Sequence, residues 1–346
     1  NCRNGTLELD TLTFREARRE DLLTKCCGVA YDPAATCPGW LAHLDLIFNG
    51  DAEVIGGFQQ MAGYSLLDGN PEQVMFILLG RGKNGKSVTL RVLSEVLGDY
   101  AINIAAESLM LKRNDAVRSD LARLKGARLA TSAEGGEGAL LDEGVVKQLT
   151  GFEDKITVRR LYEQEFEFTP TMKIWFATNH APKIRGTDDG IWRRIWLIPF
   201  EVQIPEEQRD PRITERLLEE RAGILNWMVD GLRQYHAQGR RLRPSDKVLA
   251  ATAQFRSESD VLGRFVAQEM RVDPLGTIER AVLYDIYTKW CSDEGERPVS
   301  RRTVGKYLRG RGYGERKMGG AWCWTGIRIK RLEEEVEDEP TLQMAL

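Results

Sequence analysis

The segment Gly80-Arg81-Gly82-Lys83-Asn84-Gly85-Lys86-Ser87 constrains this chain more than any other. It follows Val74-Met75-Phe76-Ile77-Leu78-Leu79, a continuous apolar run of the kind a strand buried on both faces requires, and it precedes a helical period over 88–97. The order is strand, glycine loop, helix. The segment fits G-x-x-x-x-G-K-[ST], whose glycines let the backbone turn tightly enough for successive N–H groups to face a phosphate. Lys86 then neutralises the terminal phosphate oxygens, Ser87 offers a hydroxyl to Mg²⁺, and the positive end of the following helix adds to the field at the anion. A nucleotide with β- and γ-phosphates and its magnesium is the expected ligand.

The rest of the chain supplies an α/β frame for that loop. Strand patterns lie at 127–131, at 155–161 paired with 165–168, at 172–178 and at 195–200, with helical patterns between them. Ahead of the core, residues 40–67 carry apolar side chains at helical spacing; after it, 213–235 reads as a helical block. From about residue 260 short helices lead into a Gly- and Trp-rich hairpin. The expected organisation is a helical lead-in (1–70), an ATPase core (71–202), a helical lid or linker (203–258), a winged-helix unit (259–331) and an acidic, disordered tail (332–346).

Hydrolysis needs groups that orient water and stabilise charge on the γ-phosphoryl. Glu134 ends the strand pattern at 127–131, the edge where ligands collect in an open α/β sheet, with Glu137 and Asp142 as alternatives. Asn179 ends the apolar strand pattern at 172–178 and can hydrogen-bond a phosphate or the attacking water. Arg193 and Arg194 lie just before the last strand pattern, where an arginine can reach a neighbouring subunit's nucleotide.

Net charge hides a local asymmetry. The chain has 346 residues, with 49 Lys and Arg against 52 Asp and Glu, a formal charge of −3 that excludes a uniformly basic protein. Yet residues 297–331 hold eleven basic side chains and one acid, a net +10, and Arg301, Arg302, Lys306 and Arg309 fall on the solvent side of one helical pattern, with Ser300 or Thr303 as its cap. Such a face suits a nucleic-acid backbone. Six acids follow within 333–339, too polar a run to pack. No apolar run approaches the roughly 20 residues that span a bilayer, so no membrane partner is expected. Six scattered cysteines without a CxxC pair point to reduced thiols rather than a disulfide framework or a zinc site.

Taken together, GRGKNGKS (80–87), LTGFEDKITVRRLYEQEFEFTPTMKIWFATNHAP (149–182) and GTDDGIWRRIWLIPF (186–200) resemble superfamily 3 helicases, specifically the helicase half of phage and plasmid primase-helicases. The resemblance implies an AAA+ type ring ATPase, usually a hexamer, that translocates on DNA in a bacterial host cytoplasm, with a primase or polymerase domain commonly preceding it. It assigns Lys86 and Ser87 to phosphate and magnesium, Glu134 to the Walker B carboxylate, Asn179 to sensor 1, and Arg194, with Arg193 beside it, to the trans-acting finger. Ala133 departs from the broader pattern, which has an Asp there. In this family a hairpin before sensor 1 grips single-stranded DNA in the pore; Arg159 and Arg160 would meet phosphates, Tyr162 a base, and Lys147 would assist. Duplex DNA at the basic unit, and a loading factor that does not unwind, complete the expectations.

Overall fold

The computed structural model describes residues 1–112, 119–186 and 188–330, so the acidic tail and Arg331 lie outside the described residues. The chain divides into two compact units, Asn1–Arg256 and Ser257–Leu346.

The first unit opens on a short antiparallel hairpin, β1 (Thr6–Glu8) and β2 (Thr13–Arg15). Arg15 pins it, meeting Glu8 at 2.6 Å and Asp21 at 2.7 Å. The helical lead-in expected over 1–70 begins only at Pro38, because the preceding residues are rich in Thr and lack a 3.6-residue apolar period. Helix α1 (Pro38–Ile47) has proline at its first position, where no N–H is missed. Helix α2 (Ala52–Tyr64) is capped by the Asp51 carboxylate, which accepts from the Val54 N–H at 3.1 Å.

The core follows in the order β3 (Met75–Leu79), α3 (Lys86–Leu97), β4 (Ala101–Asn103), β5 (Leu129–Ala133), α4 (Glu143–Leu149), a hairpin of β6 (Ile156–Arg159) and β7 (Glu165–Phe168), β8 (Lys173–Thr178), α5 (Asp189–Trp192) and β9 (Ile195–Pro199). Five strands form one parallel sheet in the order β4-β5-β8-β3-β9. Strand β3 therefore has a neighbour on each side and a layer on each face. Phe76 and Leu78 pack with α1, α2 and α3, whereas Met75 and Ile77 pack with α4 and the β6–β7 side. That double burial is why its sequence is apolar without alternation. Strand β5 starts two residues later than its apolar pattern suggested, and β4, only three residues at the sheet edge, is too short to show a period.

Helices α6 (Ile213–Glu219) and α7 (Arg221–Ala237) join α1–α3 over one face of the sheet. Helix α7 lies against α2 through two glycines: a Cβ on Gly63 would meet backbone of Met228 and Leu232, and one on Gly231 would meet backbone of Gln59. Helix α8 (Asp246–Ser259) runs across the division between the units.

The second unit contains α9 (Val261–Glu269), β10 (Met270–Glu279), α10 (Arg280–Asp293), α11 (Arg301–Gly310), β11 (Gly314–Met318) and β12 (Ala321–Ile329). Its strands form an antiparallel sheet, β10-β12-β11, over a core that includes Phe265, Tyr287, Leu308, Trp324 and Ile327. Strand β10 was not legible in the sequence. Asp273-Pro274-Leu275-Gly276 breaks its alternation, and its pairing register shifts between Val272 and Thr277. Among the described residues no helix is long and apolar enough to cross a membrane.

Candidate functional site

The glycine loop leaves the C-terminal end of β3 and runs directly into α3. Gly82 (φ 91°), Lys83 (φ 52°) and Gly85 (φ 84°) occupy left-handed backbone, and a Cβ on Gly85 would press on Ile47 and His43. Glycine is needed at 85 on both counts. Buried Asn84 ties the loop to the end of β9, its Nδ2 donating to the Phe200 carbonyl at 3.2 Å. The Ile204 N–H donates to the Lys83 carbonyl at 2.9 Å, so the segment after β9 also holds the loop.

Lys86 is 4% exposed, and its ammonium donates to the Gly80 carbonyl at 2.6 Å, to Asn84 Oδ1 at 3.0 Å and to Asn179 Oδ1 at 3.2 Å. All three partners are neutral. Burial pushes its pKa down to about 8, because a desolvated cation without an opposite charge loses more by ionising than it does in water. An anion delivered to the first turn of α3 would supply that charge, together with the backbone N–H groups of the helix start. Ser87 is exposed at the same turn.

The sheet brings two further expected residues to this edge. Glu134 follows the last residue of β5, exposed and at φ 64°, its N–H donating to the Ala177 carbonyl at 3.0 Å. Asn179 follows β8, the strand between β5 and β3. Lys86, Ser87, Glu134 and Asn179 thus share the C-terminal edge of the parallel strands, where the strand carbonyl ends and helix N-termini converge on ligands in such sheets.

Arg193 and Arg194 lie at the opposite edge. The Met75 N–H, at the start of β3, donates to the Arg194 carbonyl at 2.7 Å, whereas the glycine loop leaves the far end of that strand. Five residues of strand separate them, roughly 17 Å. The pair is also arranged differently from expectation. Arg194, the expected finger, is 8% exposed and turned inward: its Nε donates to Thr150 Oγ1 at 3.1 Å and its guanidinium to the Gly190 carbonyl. Arg193 is the exposed member. Both reach Gln73 Oε1, Arg193 at 2.8 Å and Arg194 at 3.2 Å.

A cavity of about 660 Å³ opens beside the glycine loop, lined among others by His43, Leu46, Lys83, Val88, Ile213 and Leu217. Its apolar walls beside the glycine-loop backbone have room for a flat heterocycle joined to a charged tail. His43 in its wall stays neutral near pH 7, since burial pushes its pKa down to about 4; its Nε2 lies 3.1 Å from Thr89 Oγ1. Sequence reasoning missed this wall. These residues come from α1, the loop with the first turn of α3, and α6, and no local motif links positions so far apart.

The β6–β7 hairpin presents Tyr162 at its tip, 99% exposed, with φ 63°. Arg159 is exposed opposite Glu165 in the register, and Arg160 pairs with Glu163 at 3.4 Å while its guanidinium lies 5.4 Å from the Phe166 ring centroid. Lys147 is held by Asp188 at 3.1 Å. In the second unit Ser300 caps α11, accepting from the Thr303 N–H at 3.2 Å; Val304 and Leu308 are buried while Arg301, Arg302, Lys306 and Arg309 face solvent. Two of these cations have acidic neighbours, Arg301 with Asp285 at 3.7 Å and Arg309 with Glu315 at 2.7 Å.

Two family profiles match the chain. One, described as D5 N terminal like, covers residues 1–49; the other, a family of unknown function (DUF5906), covers 78–194, from the glycine-loop strand to the arginine pair. The chain is 27% identical over 270 residues to a "Putative helicase" of Frog virus 3 (isolate Goorha), covering 73% of this chain and 28% of that protein. It is 27% identical over 297 residues to a "Putative helicase" of Acanthamoeba polyphaga mimivirus, covering 78% and 30%. A "Putative primase" of African swine fever virus (isolate Tick/Malawi/Lil 20-1/1983) matches at 25% over 297 residues, again 78% and 30%. The chain therefore spans less than a third of the length of these relatives. Among solved structures, the apo NrS-1 C-terminal region shares the fold, with a TM-score of 0.55 at 14% identity over 86% of this chain and 77% of the other. These findings bear out the resemblance read from the sequence, to superfamily 3 helicases of the primase-helicase kind.

Proposed function

We propose that this chain is the motor part of an ATP-dependent DNA helicase serving the replication of a mobile genetic element, acting as a ring of identical subunits with an AAA+ type core and a winged-helix second unit. The observation that carries this reading is the meeting of Lys86 Nζ with Asn179 Oδ1 at 3.2 Å, on the edge of the sheet that lacks Arg193 and Arg194. It supports a cation and a polar side chain acting together on a phosphate, and the exposed Arg193, at the far end of the sheet from its own glycine loop, suits a phosphate held by another subunit.

The triphosphate would lie along the glycine loop with its base in the adjacent cavity. Ser87 and Glu134 are a hydroxyl and a carboxylate, the hard oxygen donors Mg²⁺ takes, and they would hold the ion that neutralises phosphate charge there. With Ala rather than Asp at position 133, Glu134 would have to serve both the metal and the attacking water. Arg193 or Arg194 of a neighbour would meet the charge that develops on the transferred group. Single-stranded DNA would be gripped by Arg159, Arg160 and Tyr162, duplex DNA by α11.

Replacing Lys86 by Ala removes the one cation of the loop that is buried against the sensor. Strand displacement and DNA-stimulated ATP hydrolysis should both fall at least a hundredfold, by analogy with the several kcal/mol that a buried charge–phosphate contact contributes. Unwinding by Lys86→Ala at the normal rate overturns the reading. Hydrolysis on DNA by the unaltered protein with no strand released would instead identify a loading or origin-binding factor.

A further inference from the structure

A second cavity, of about 510 Å³, lies at the arginine edge of the sheet and is lined by Pro71, Glu72, Gln73, Arg193, Arg240 and Arg241. Neither Arg240 nor Arg241 belongs to any motif read from the sequence. Three guanidinium-bearing residues face one carboxylate, so the lining carries an excess of positive charge.

The partners of these cations are weak or turned elsewhere. Arg193 rests on the neutral amide oxygen of Gln73, a residue in left-handed backbone at φ 56°. Arg240 reaches Asp10, whose side chain is largely solvent-exposed, at 2.7 Å. Arg241 is exposed and has no hydrogen-bond or ion-pair partner among the described residues. Glu72 accepts from the Leu242 N–H at 3.4 Å, and burial raises its pKa while the nearby Arg241 lowers it. Arginines that line one hollow are suited to phosphate oxygens, which planar guanidinium forks bind in pairs of parallel hydrogen bonds.

The chain's own nucleotide cannot be the occupant. Four of its lining residues, Pro71 to Gln73 and Arg193, lie just ahead of β3 and β9, and the glycine loop leaves the other end of β3, roughly 17 Å away. An arginine side chain spans less than half that distance.

We propose that this cavity is a phosphate seat for the nucleotide held by a second copy of the chain, in which Arg241, with Arg240, supplies positive charge in trans beside Arg193. The inference rests on the ATPase reading above. Arg241→Ala should bind ATP as the unaltered chain does, within about twofold, because its own glycine loop is intact, and should hydrolyse it at least tenfold more slowly. Mixed in equal amounts with Lys86→Ala, which cannot hold the nucleotide but still offers Arg241, it should regain hydrolysis above the sum of the two separate rates. Arg241→Lys, which keeps the charge and loses the fork, should fall between Ala and the unaltered chain. Hydrolysis by Arg241→Ala at the normal rate, or a defect that mixing does not relieve, overturns the inference alone. A loss of DNA affinity with hydrolysis intact assigns the seat to DNA phosphate and also overturns it. Absence of ATP hydrolysis by the unaltered chain on DNA removes the ATPase reading and this inference together.

Discussion

Lys86 is an ammonium held entirely by neutral oxygens. The sequence motif assigns it to phosphate, but only the tertiary structure shows how it waits: Asn179, 93 positions away, accepts one of its hydrogen bonds. The consequence is a pH dependence with a definite sign. The free protein's Lys86 pKa lies at about 8, and a bound triphosphate favours the charged form. Nucleotide affinity should therefore be steady below pH 8 and weaken as pH rises through it, approaching about tenfold per unit, the slope for one proton taken up on binding. Titrating a nucleotide analogue between pH 7 and 9.5 measures it; a flat profile would show that Lys86 stays charged without its anion. The arginine pair is the residue-scale point where sequence and structure part. Position along the chain favours Arg194, yet burial and its bonds to Thr150 and Gly190 hold it inward, leaving Arg193 at the surface.

At the scale of elements, the contact between α2 and α7 depends on glycines that helix propensity alone would penalise. Gly231→Ala should gain up to about 1 kcal/mol from propensity. The added methyl would press on the Gln59 backbone, however, and overpacking against backbone costs about 1–3 kcal/mol. The steric effect wins, and the thermal midpoint of the chain should drop by about 2–6 °C, as calorimetry would register. The β6–β7 hairpin makes the complementary prediction. Its tip is exposed and its arginines contribute little to packing, so Arg159→Ala with Arg160→Ala should leave the melting temperature near its starting value. Single-strand DNA binding should lose about 1.4 from its slope against log salt, for two phosphate contacts. An unchanged slope would leave the pair as a solvated face, in keeping with the Arg160–Glu163 pair already present.

For the whole molecule, the parallel sheet imposes a polarity. Lys86, Ser87, Glu134 and Asn179 cluster at one end of the strands and Arg193 and Arg194 lie at the other, so under the proposed function one chain would hold both halves of a site that it could not close by itself. Oligomer formation is the expected answer: particle mass measured with an ATP analogue and DNA should be a multiple of the single chain. A monomer that hydrolyses at full rate after both Arg193 and Arg194 are replaced by Ala would contradict it. In the second unit α11 presents four cations over a buried Val304 and Leu308.

Much of this was legible in the sequence, for physical reasons. A strand buried on both faces must be apolar throughout, a phosphate loop must carry glycines where the backbone turns left-handed, and an amphipathic helix must segregate its cations; each is a local requirement that leaves a local pattern. The N-terminal hairpin, the three-residue edge strand β4 and the interrupted β10 left none, because short or broken pairing is stabilised by partners distant in the chain rather than by its own period. Tertiary structure alone decided the rest. It brought Lys86 to Asn179, walled a base-sized cavity from three separate segments, turned Arg194 inward and gathered Arg240 and Arg241 beside Arg193, since side-chain direction and distance across a sheet depend on the register of strands that the linear order does not encode.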